Sequence, residues 1–376
     1  MKNPELKKLA KQFAEVTIKH EKQNAAKEQI EFIVSCDDIS IVVLTGPTGS
    51  GKSTLLEQFA SEYLGSRELE MKADPSLRPI AYATATASGH KGFDWKTLYK
   101  TTQKNHGDPF AATRARRNDG RKPSTILPGE DAPAALLREQ LESSFIAADT
   151  SIWIIDEAQH VLRGGKSGTP GDQYDILKSL AQSAGVQLIL SGPFDLPTSM
   201  AHSGQLSRRT ARVSLNRYRW VKDEVKVFAS VADAILKRLP TSMAYPDVKK
   251  SIRFFYVRTL GCVGIFKTWA AKTYLRVMRR GGAEMTLADF EQTSLTPKQL
   301  ATINNEIVEG ELEYGDIAAS PDDELVRAIL AGAMAGGAPA TKTGATRAAA
   351  PTKASATTAR KPFERRPARD KVGEEV

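Results

Sequence analysis

Five short runs of apolar, β-favouring residues recur along the first two thirds of the chain. They cover residues 39–45, 78–85, 150–156, 186–192 and 210–216. Apolar residues at helical spacing separate these runs, in the stretches 52–64, 94–104, 132–147 and 172–184. Strands that alternate with helices are typical of a parallel sheet that carries helices on both faces. The pattern therefore predicts an α/β domain with a five-stranded parallel sheet, over residues 35–220.

The pattern changes on both sides of this domain. Apolar residues at helical spacing predict an N-terminal helical arm over residues 1–34. Beyond residue 220 the β-favouring runs stop, and successive helical patterns predict a helical lid domain over residues 221–316, with Thr286 as a helix cap. Residues 332–376 are rich in Ala, Thr, Gly, Pro and basic residues, which predicts a disordered basic tail.

The formal net charge of +9 is a weak indication of a nucleic-acid partner. Residues 337–376 hold nine Lys or Arg and four acidic residues, a net charge of +5, so a basic tail on an ordinary enzyme is the alternative explanation. Cys36 and Cys262 fit neither a metal-binding spacing nor a disulfide framework, which indicates a reducing cytoplasm. No apolar stretch approaches the roughly 18 residues that a membrane span requires, so we expect no membrane partner.

The most specific motif is "GPTGSGKST", which satisfies the pattern G-x-x-x-x-G-K-[ST] of a phosphate-binding loop. It follows a predicted strand and precedes a predicted helix, whose free backbone N–H groups can bind phosphate oxygens. We expect Lys52 to contact the β- and γ-phosphates of a nucleotide and the Ser53 hydroxyl to ligate Mg²⁺. The predicted nucleotide-binding residues are Gly46, Pro47, Thr48, Gly49, Ser50, Gly51, Lys52, Ser53 and Thr54.

Further candidate residues lie at the ends of later strands. Asp156 is the last residue of the run "SIWIID", and Glu157 follows it as the first residue of "EAQH". At a strand end, Asp156 is suited to binding a metal ion and Glu157 to orienting an attacking water. Ser191 ends the next strand and would lie between the two motifs, near the γ-phosphate. Arg208 and Arg209 precede the fifth strand, and either can act as the arginine that stabilises the transition state in a neighbouring subunit. A solvated turn is the alternative interpretation of each of these segments.

Together these motifs and the helical lid describe a P-loop AAA+ ATPase. The segments "LTGPTGSGKST", "WIIDEAQHVL", "LILSGPFDL" and "GQLSRRTARVSLNRYR" resemble the TniB/TnsC family of transposition ATPases, over roughly residues 30–280. The resemblance implies an ATP- and Mg²⁺-dependent bacterial cytoplasmic protein that assembles as rings or filaments on double-stranded DNA. It also implies partnership with a DDE transposase and a TniQ-type target selector, with ATP hydrolysis driving disassembly.

Two features depart from this family pattern. The lid motif "GCVGIFKTW" has no basic residue between Gly261 and Gly264, where many AAA+ proteins carry a nucleotide-sensing arginine, although Arg258 and Lys267 flank it. The phosphate loop and Asp156 also stand further apart than in a minimal core, because of a basic insertion at residues 105–131.

The resemblance places DNA-facing segments between the second strand and the Asp156 strand. The basic residues available there are Lys91, Lys96, Lys100, Lys104, Arg114, Arg116, Arg117, Arg121 and Lys122. Several of the lysines stand four positions apart and would share a helix face, from which they can contact phosphates without reading sequence. A solvated helix face is the alternative interpretation of any single lysine.

Two other functions share most of these motifs. A replication initiator or helicase loader of the AAA+ class would carry the same nucleotide site. A nucleotide-switched scaffold with little turnover would also bind ATP, although it would not require Glu157.

Overall fold

A parallel five-stranded sheet lies at the centre of the computed structural model, which describes residues 3–14, 16–36, 38–87, 93–106, 132–162, 170–196 and 209–314. All of these residues belong to one compact unit, Met1–Gly336. The strands are β1 (Ile41–Thr45), β2 (Ile80–Thr84), β3 (Ile152–Asp156), β4 (Gln187–Gly192) and β5 (Thr210–Ser214). Their order across the sheet is β2-β3-β4-β1-β5, and every pairing is parallel. The α/β architecture predicted from the apolar runs is therefore confirmed.

Helices surround the sheet and continue beyond it. Those of the first 200 residues are α1 (Asn3–Ala14), α2 (Glu21–Val34), α3 (Lys52–Ser66), α4 (Glu68–Ala73), α5 (Trp95–His106), α6 (Ala134–Ala147), α7 (Gln159–Leu162) and α8 (Pro170–Ala184). Those after the sheet are α9 (Lys222–Lys237), α10 (Ile252–Thr259), α11 (Val263–Arg279), α12 (Leu287–Thr293) and α13 (Pro297–Tyr314).

Helices cover both faces of the sheet, which explains why β1 and β3 are buried along their whole length. On one face, Leu98 of α5 and Phe145 of α6 join a core with Trp153 of β3. On the other face, Leu55 of α3 packs with Ile30 of α2 and the alternate residues of β1. The alternation of side chains along each strand divides the apolar residues between these two cores.

The N-terminal arm contains two helices, α1 and α2. Helix α1 packs against α11, where Phe13 and Tyr274 have ring centroids 6.4 Å apart. Helix α2 packs instead against α3 and β5. The chain is extended at His20, with φ −140° and ψ 158°, and this break sends the two halves of the arm to different cores.

The helical domain after the sheet is built around an aromatic cluster. Phe255, Phe266, Trp269 and Phe290 stack edge to face at centroid distances of 5.1–5.8 Å. Thr286 caps α12 with a reciprocal capping box, as its position before "LADF" predicts. Within this box, the neighbouring arginine and the backbone of the cap lower the pKa of the Asp289 carboxyl to about 2.

Helix α13 was not predicted as a separate element, and a buried ion pair connects it to the segment after β5. Arg217 Nε and a second guanidinium nitrogen donate to the two carboxylate oxygens of Glu311 at 3.0 and 2.9 Å. The Arg217 and Glu311 side chains are 1% and 7% exposed. A bidentate pair of this kind holds both charges with fixed geometry inside the protein.

Some predicted segments lie outside the described residues. They are most of the basic insertion at 105–131 and the whole of the predicted tail at 332–376. Among the described helices, none combines the length and the apolar character needed to cross a membrane.

We predict that Glu311→Ala destabilises the fold by about 3–5 kcal/mol, because it removes a buried carboxylate that forms two hydrogen bonds with the buried Arg217 guanidinium. The free energy of unfolding in urea measures this effect. Glu306→Ala on the same helix is the control, since Glu306 is exposed and should change stability by less than about 0.5 kcal/mol. Equal stability of the two variants would contradict the prediction.

A second prediction concerns His20, which is 8% exposed and lies 3.0 Å (Nδ1) from the Tyr218 hydroxyl. Burial, together with the nearby Lys22 charge, lowers the pKa of His20 from 6.5 to about 4. Below pH 6.5 the unfolded chain binds a proton that the folded chain does not, so stability is lost as the pH falls from 6.5 towards 4.

The loss amounts to roughly 2–3 kcal/mol. His20→Gln, which can still bond the Tyr218 hydroxyl, should lose correspondingly less stability between pH 7 and pH 4.5. Urea unfolding at the two pH values tests this difference. The same pH dependence in both proteins would show that His20 does not contribute.

Candidate nucleotide-binding site

The predicted phosphate loop connects the buried end of β1 to the first turn of α3. Gly51 precedes this turn with φ 104°, a left-handed conformation that favours glycine. The loop thereby wraps around the N-terminus of α3, where free backbone N–H groups and the helix dipole favour an anion. The Ser50 hydroxyl is buried and has no hydrogen-bond partner among the described residues, so it can contribute to binding a polar ligand here.

Lys52 folds back across this loop. Its Nζ donates hydrogen bonds to the carbonyl oxygens of Gly46 at 2.8 Å and Pro47 at 3.1 Å. Burial lowers the pKa of Lys52, while the carboxylates of Glu157 and Asp156 oppose this shift. The ammonium group is therefore held between the loop and the two acids.

The two acids emerge where β3 ends. Asp156 is the last residue of the strand and is 3% exposed. One carboxylate oxygen accepts a hydrogen bond from the Glu157 backbone N–H at 2.9 Å, and the other accepts from the Tyr82 hydroxyl at 3.4 Å. Burial and the Asp156 charge raise the pKa of Tyr82, which keeps its hydroxyl protonated as a donor. No local sequence pattern points to Tyr82, because only the pairing of β2 with β3 brings it to this edge.

Ser53 and Asp156 offer hydroxyl and carboxylate oxygens, the hard ligands that Mg²⁺ prefers. Ser53 is exposed in the first turn of α3, and Asp156 is the last residue of β3. Mg²⁺ normally keeps several waters and uses phosphate oxygens, so one or two protein ligands suffice. The residues fit a magnesium–nucleotide site.

Glu157 and Ser191 lie at the same edge of the sheet. Glu157 has φ 54°, a left-handed conformation that is uncommon for a residue with a side chain and is enriched at functional sites. Ser191 is fully buried in β4, and its hydroxyl has no partner among the described residues. Its carbonyl accepts a hydrogen bond from the Ala158 N–H at 2.8 Å, which joins the two strand ends.

The lid meets the phosphate loop through backbone atoms. Gly264 N donates to Gly49 O at 2.8 Å, and a Cβ at position 264 would lie 2.6 Å from that oxygen. The two basic residues near the lid motif "GCVGIFKTW" have partners away from the phosphate loop. Arg258 bonds Glu291, and Lys267 Nζ donates to a backbone carbonyl of α1 at 2.7 Å.

Helix α13 forms a wall of the cleft beside the phosphate loop. This cleft has a volume of about 350 Å³ and includes Thr48 and Gln159 on the sheet side. Glu306 and Glu309 of α13 line the opposite side. No local sequence pattern associates these acids or Gln159 with the site, because only the tertiary fold brings α13 and α7 to the same cleft.

Arg209 lies at the amino-terminal ends of the strands, opposite the end of the sheet that carries the phosphate loop. Its carbonyl accepts hydrogen bonds from the N–H groups of Ser40 and Ile41, at the amino end of β1. The five residues of β1 span about 16 Å, so Arg209 lies roughly a strand length from the phosphate loop of its own chain. The Arg209 side chain is exposed and lines a cleft of about 410 Å³ with Lys178. Arg208 lies outside the described residues.

Three of the predicted DNA-contacting residues lie on α5, which packs against the edge strand β2. Lys104 is exposed, and Lys96 and Lys100 are partly buried. The remaining candidates, Lys91, Arg114, Arg116, Arg117, Arg121 and Lys122, lie outside the described residues. DNA contact by these residues stays a prediction.

The strand order, the phosphate loop and the acids at the carboxyl edge define a P-loop fold of the AAA+ type. A family model described as "AAA domain" matches residues 21–199, from the start of α2 to just beyond β4. No curated protein matches the chain.

The chain is also similar to solved structures. The ORC2 protein of Aeropyrum pernix in its ADP form is 13% identical, with 86% of this chain and 83% of that chain covered and a TM-score of 0.53. The Aeropyrum pernix ORC1 protein in complex with DNA is 13% identical, with 84% and 82% covered and a TM-score of 0.49. A Walker-type ATPase of Pyrococcus abyssi is 18% identical, with 77% and 73% covered and a TM-score of 0.43. At these identities the ORC2 likeness shows the fold alone.

We predict that Gly264→Ala weakens nucleotide binding by about tenfold, because its Cβ would push the first turn of α11 away from the phosphate loop. Titration with a fluorescent ATP analogue measures the affinity. Gly65→Ala is the matched control, since nothing lies within 4 Å of a Cβ added there. Unchanged affinity in Gly264→Ala would contradict a role for this backbone contact.

Proposed function

We propose that this protein is an ATP-dependent, DNA-binding AAA+ regulator of DNA transposition. In this proposal it oligomerises on target DNA, recruits or activates a transposase, and disassembles when ATP is hydrolysed. The observation that carries the ATPase part is the grouping of Lys52, Asp156, Glu157 and Ser191 at one edge of the sheet, around the phosphate loop.

Each residue of this group has a distinct role in hydrolysis. The loop amides and Lys52 bind the β- and γ-phosphates, and Ser53 and Asp156 hold Mg²⁺. Bound Mg²⁺ would neutralise charge on the phosphate oxygens. Glu157 orients the attacking water, and the Ser191 hydroxyl, which has no partner among the described residues, faces a ligand at the γ-phosphate end.

Assembly supplies the arginine that completes the site. Because Arg209 stands at the sheet edge opposite Lys52, it cannot act on a nucleotide bound to its own loop. Arg209 or Arg208 therefore serves the γ-phosphate in a neighbouring subunit, which makes hydrolysis depend on oligomerisation.

DNA binding in this proposal uses phosphate contacts. The lysines of α5, together with Lys91 and the arginine-rich insertion, supply positive charge without base-reading groups. Contacts of this type suit a protein that coats DNA of any sequence.

The transposition role is supported by the resemblance of the segments "DEAQH" and "QLSRR…RYR" to the TniB/TnsC family. A TniQ-type target selector would be a further partner. A replication initiator is the second candidate, because the ORC2 protein of Aeropyrum pernix has the same fold. Both a transposition regulator and a replication initiator are compatible with this fold, so an experiment has to distinguish them.

The test is binding to random-sequence duplex DNA with ATP, with ADP and without nucleotide, across a salt series. We expect binding that requires ATP, falls steeply with salt and disappears in Lys52→Ala. Glu157→Gln should bind ATP and DNA but hydrolyse ATP at least about 100-fold more slowly, which traps the DNA-bound state.

The other outcomes of this experiment distinguish the candidate functions. Equal binding in all nucleotide states would point to a passive basic tether and contradict the proposal. No binding would favour a nucleotide-switched scaffold. Turnover and DNA residence that are both unaffected by Glu157→Gln would show that Glu157 is not the catalytic residue. Capture of a purified transposase by the ATP-bound filament supports transposition, whereas capture of a replicative helicase in its place supports the replication role.

A further inference from the structure

Gln159 is a buried polar residue two positions after Glu157, and none of the roles above uses it. It begins α7 and is 9% exposed. Its side-chain Nε2 donates a hydrogen bond to Glu157 Oε2 at 2.5 Å. The carboxylate proposed to orient the attacking water therefore has a fixed partner.

This hydrogen bond determines how the Gln159 amide is oriented. An ionised carboxylate can only accept hydrogen bonds, so the NH₂ group must face Glu157 and the carbonyl oxygen must point away. That oxygen, Oε1, is buried and has no hydrogen-bond partner among the described residues. A Cβ built on Gly192 would lie 2.9 Å from it, so the oxygen faces the end of β4, directly after Ser191.

The same side chain lines the cleft beside the phosphate loop. Pro47 and Thr48 of that loop line this cleft together with Gln159. The amide thus lies between the end of β3, the end of β4 and the loop expected to hold the phosphates. A buried acceptor without a partner at such a place requires a ligand or water to satisfy it.

We propose that Gln159 is a positioning residue for ATP hydrolysis, an inference that rests on the proposed function. Its N–H group fixes the Glu157 carboxylate, and its carbonyl oxygen accepts a hydrogen bond from the second O–H group of the attacking water. In the reaction, the water oxygen bonds the γ-phosphorus and one water proton passes to Glu157. The bond from that phosphorus to the β-phosphate oxygen breaks, and its electron pair stays on ADP.

Steady-state ATP hydrolysis across pH by the full chain, assembled on duplex DNA, tests this role. Gln159→Ala removes both hydrogen bonds and should lower kcat by about 10- to 100-fold with KM changed less than about threefold. Gln159→Glu keeps the shape but places a second carboxylate against Glu157. The pair then shares a proton, so the acidic limb of the kcat–pH profile should move up by about one pH unit or more.

Gln140→Ala is the matched control, because Gln140 is a similarly buried glutamine (8% exposed) on α6. It should leave kcat and the pH profile unchanged. Unaltered kcat in Gln159→Ala, an increase in kcat, or an unmoved acidic limb in Gln159→Glu would each overturn the inference while the ATPase proposal stands. Wild-type turnover no higher than that of Lys52→Ala would overturn both.

Discussion

The parallel pairing of β1 between β4 and β5 is the constraint on which the rest of this structure depends. Its register sets Thr45 beside Gly192 and Ser214, so that the carboxyl ends of three strands stop at one level. The phosphate loop leaves the sheet at this level. Because all strands run the same way, every residue that follows a strand lies at the nucleotide edge and every residue that precedes one lies at the opposite edge.

Burial of charge at this edge follows from the same geometry. Lys52 loses hydration inside the loop, and the carboxylates of Asp156 and Glu157 compensate part of that cost. Asp156 in turn is held by a backbone N–H and by the Tyr82 hydroxyl. The site is therefore a set of mutually dependent groups, in which the position of each charge stabilises the others before any phosphate enters.

Two contacts join the helical domain to the α/β domain. One is a close backbone contact at the phosphate loop, and the other is an ion pair away from that loop. Gly264 meets the loop directly, which leaves no room for a side chain at that position. The buried Arg217–Glu311 pair anchors α13, whose acidic residues line the cleft. Both contacts join the helical domain to the α/β domain, and neither involves a basic residue between Gly261 and Gly264.

The sequence by itself determined the five strands, the phosphate loop, the cap at Thr286 and the two acids at a strand end. These features depend on local periodicity, on glycine spacing and on the residue that follows an apolar run. The tertiary structure alone decided the break in the N-terminal arm, the place of α13, and the contacts of Tyr82 and Gln159. Tyr82 and Asp156 are 74 positions apart and Arg217 and Glu311 are 94 apart, and no local pattern specifies such pairs. Gln159 is close to Glu157 in sequence, but only the packing of β4 beside β3 buries its side-chain oxygen, which has no hydrogen-bond partner among the described residues.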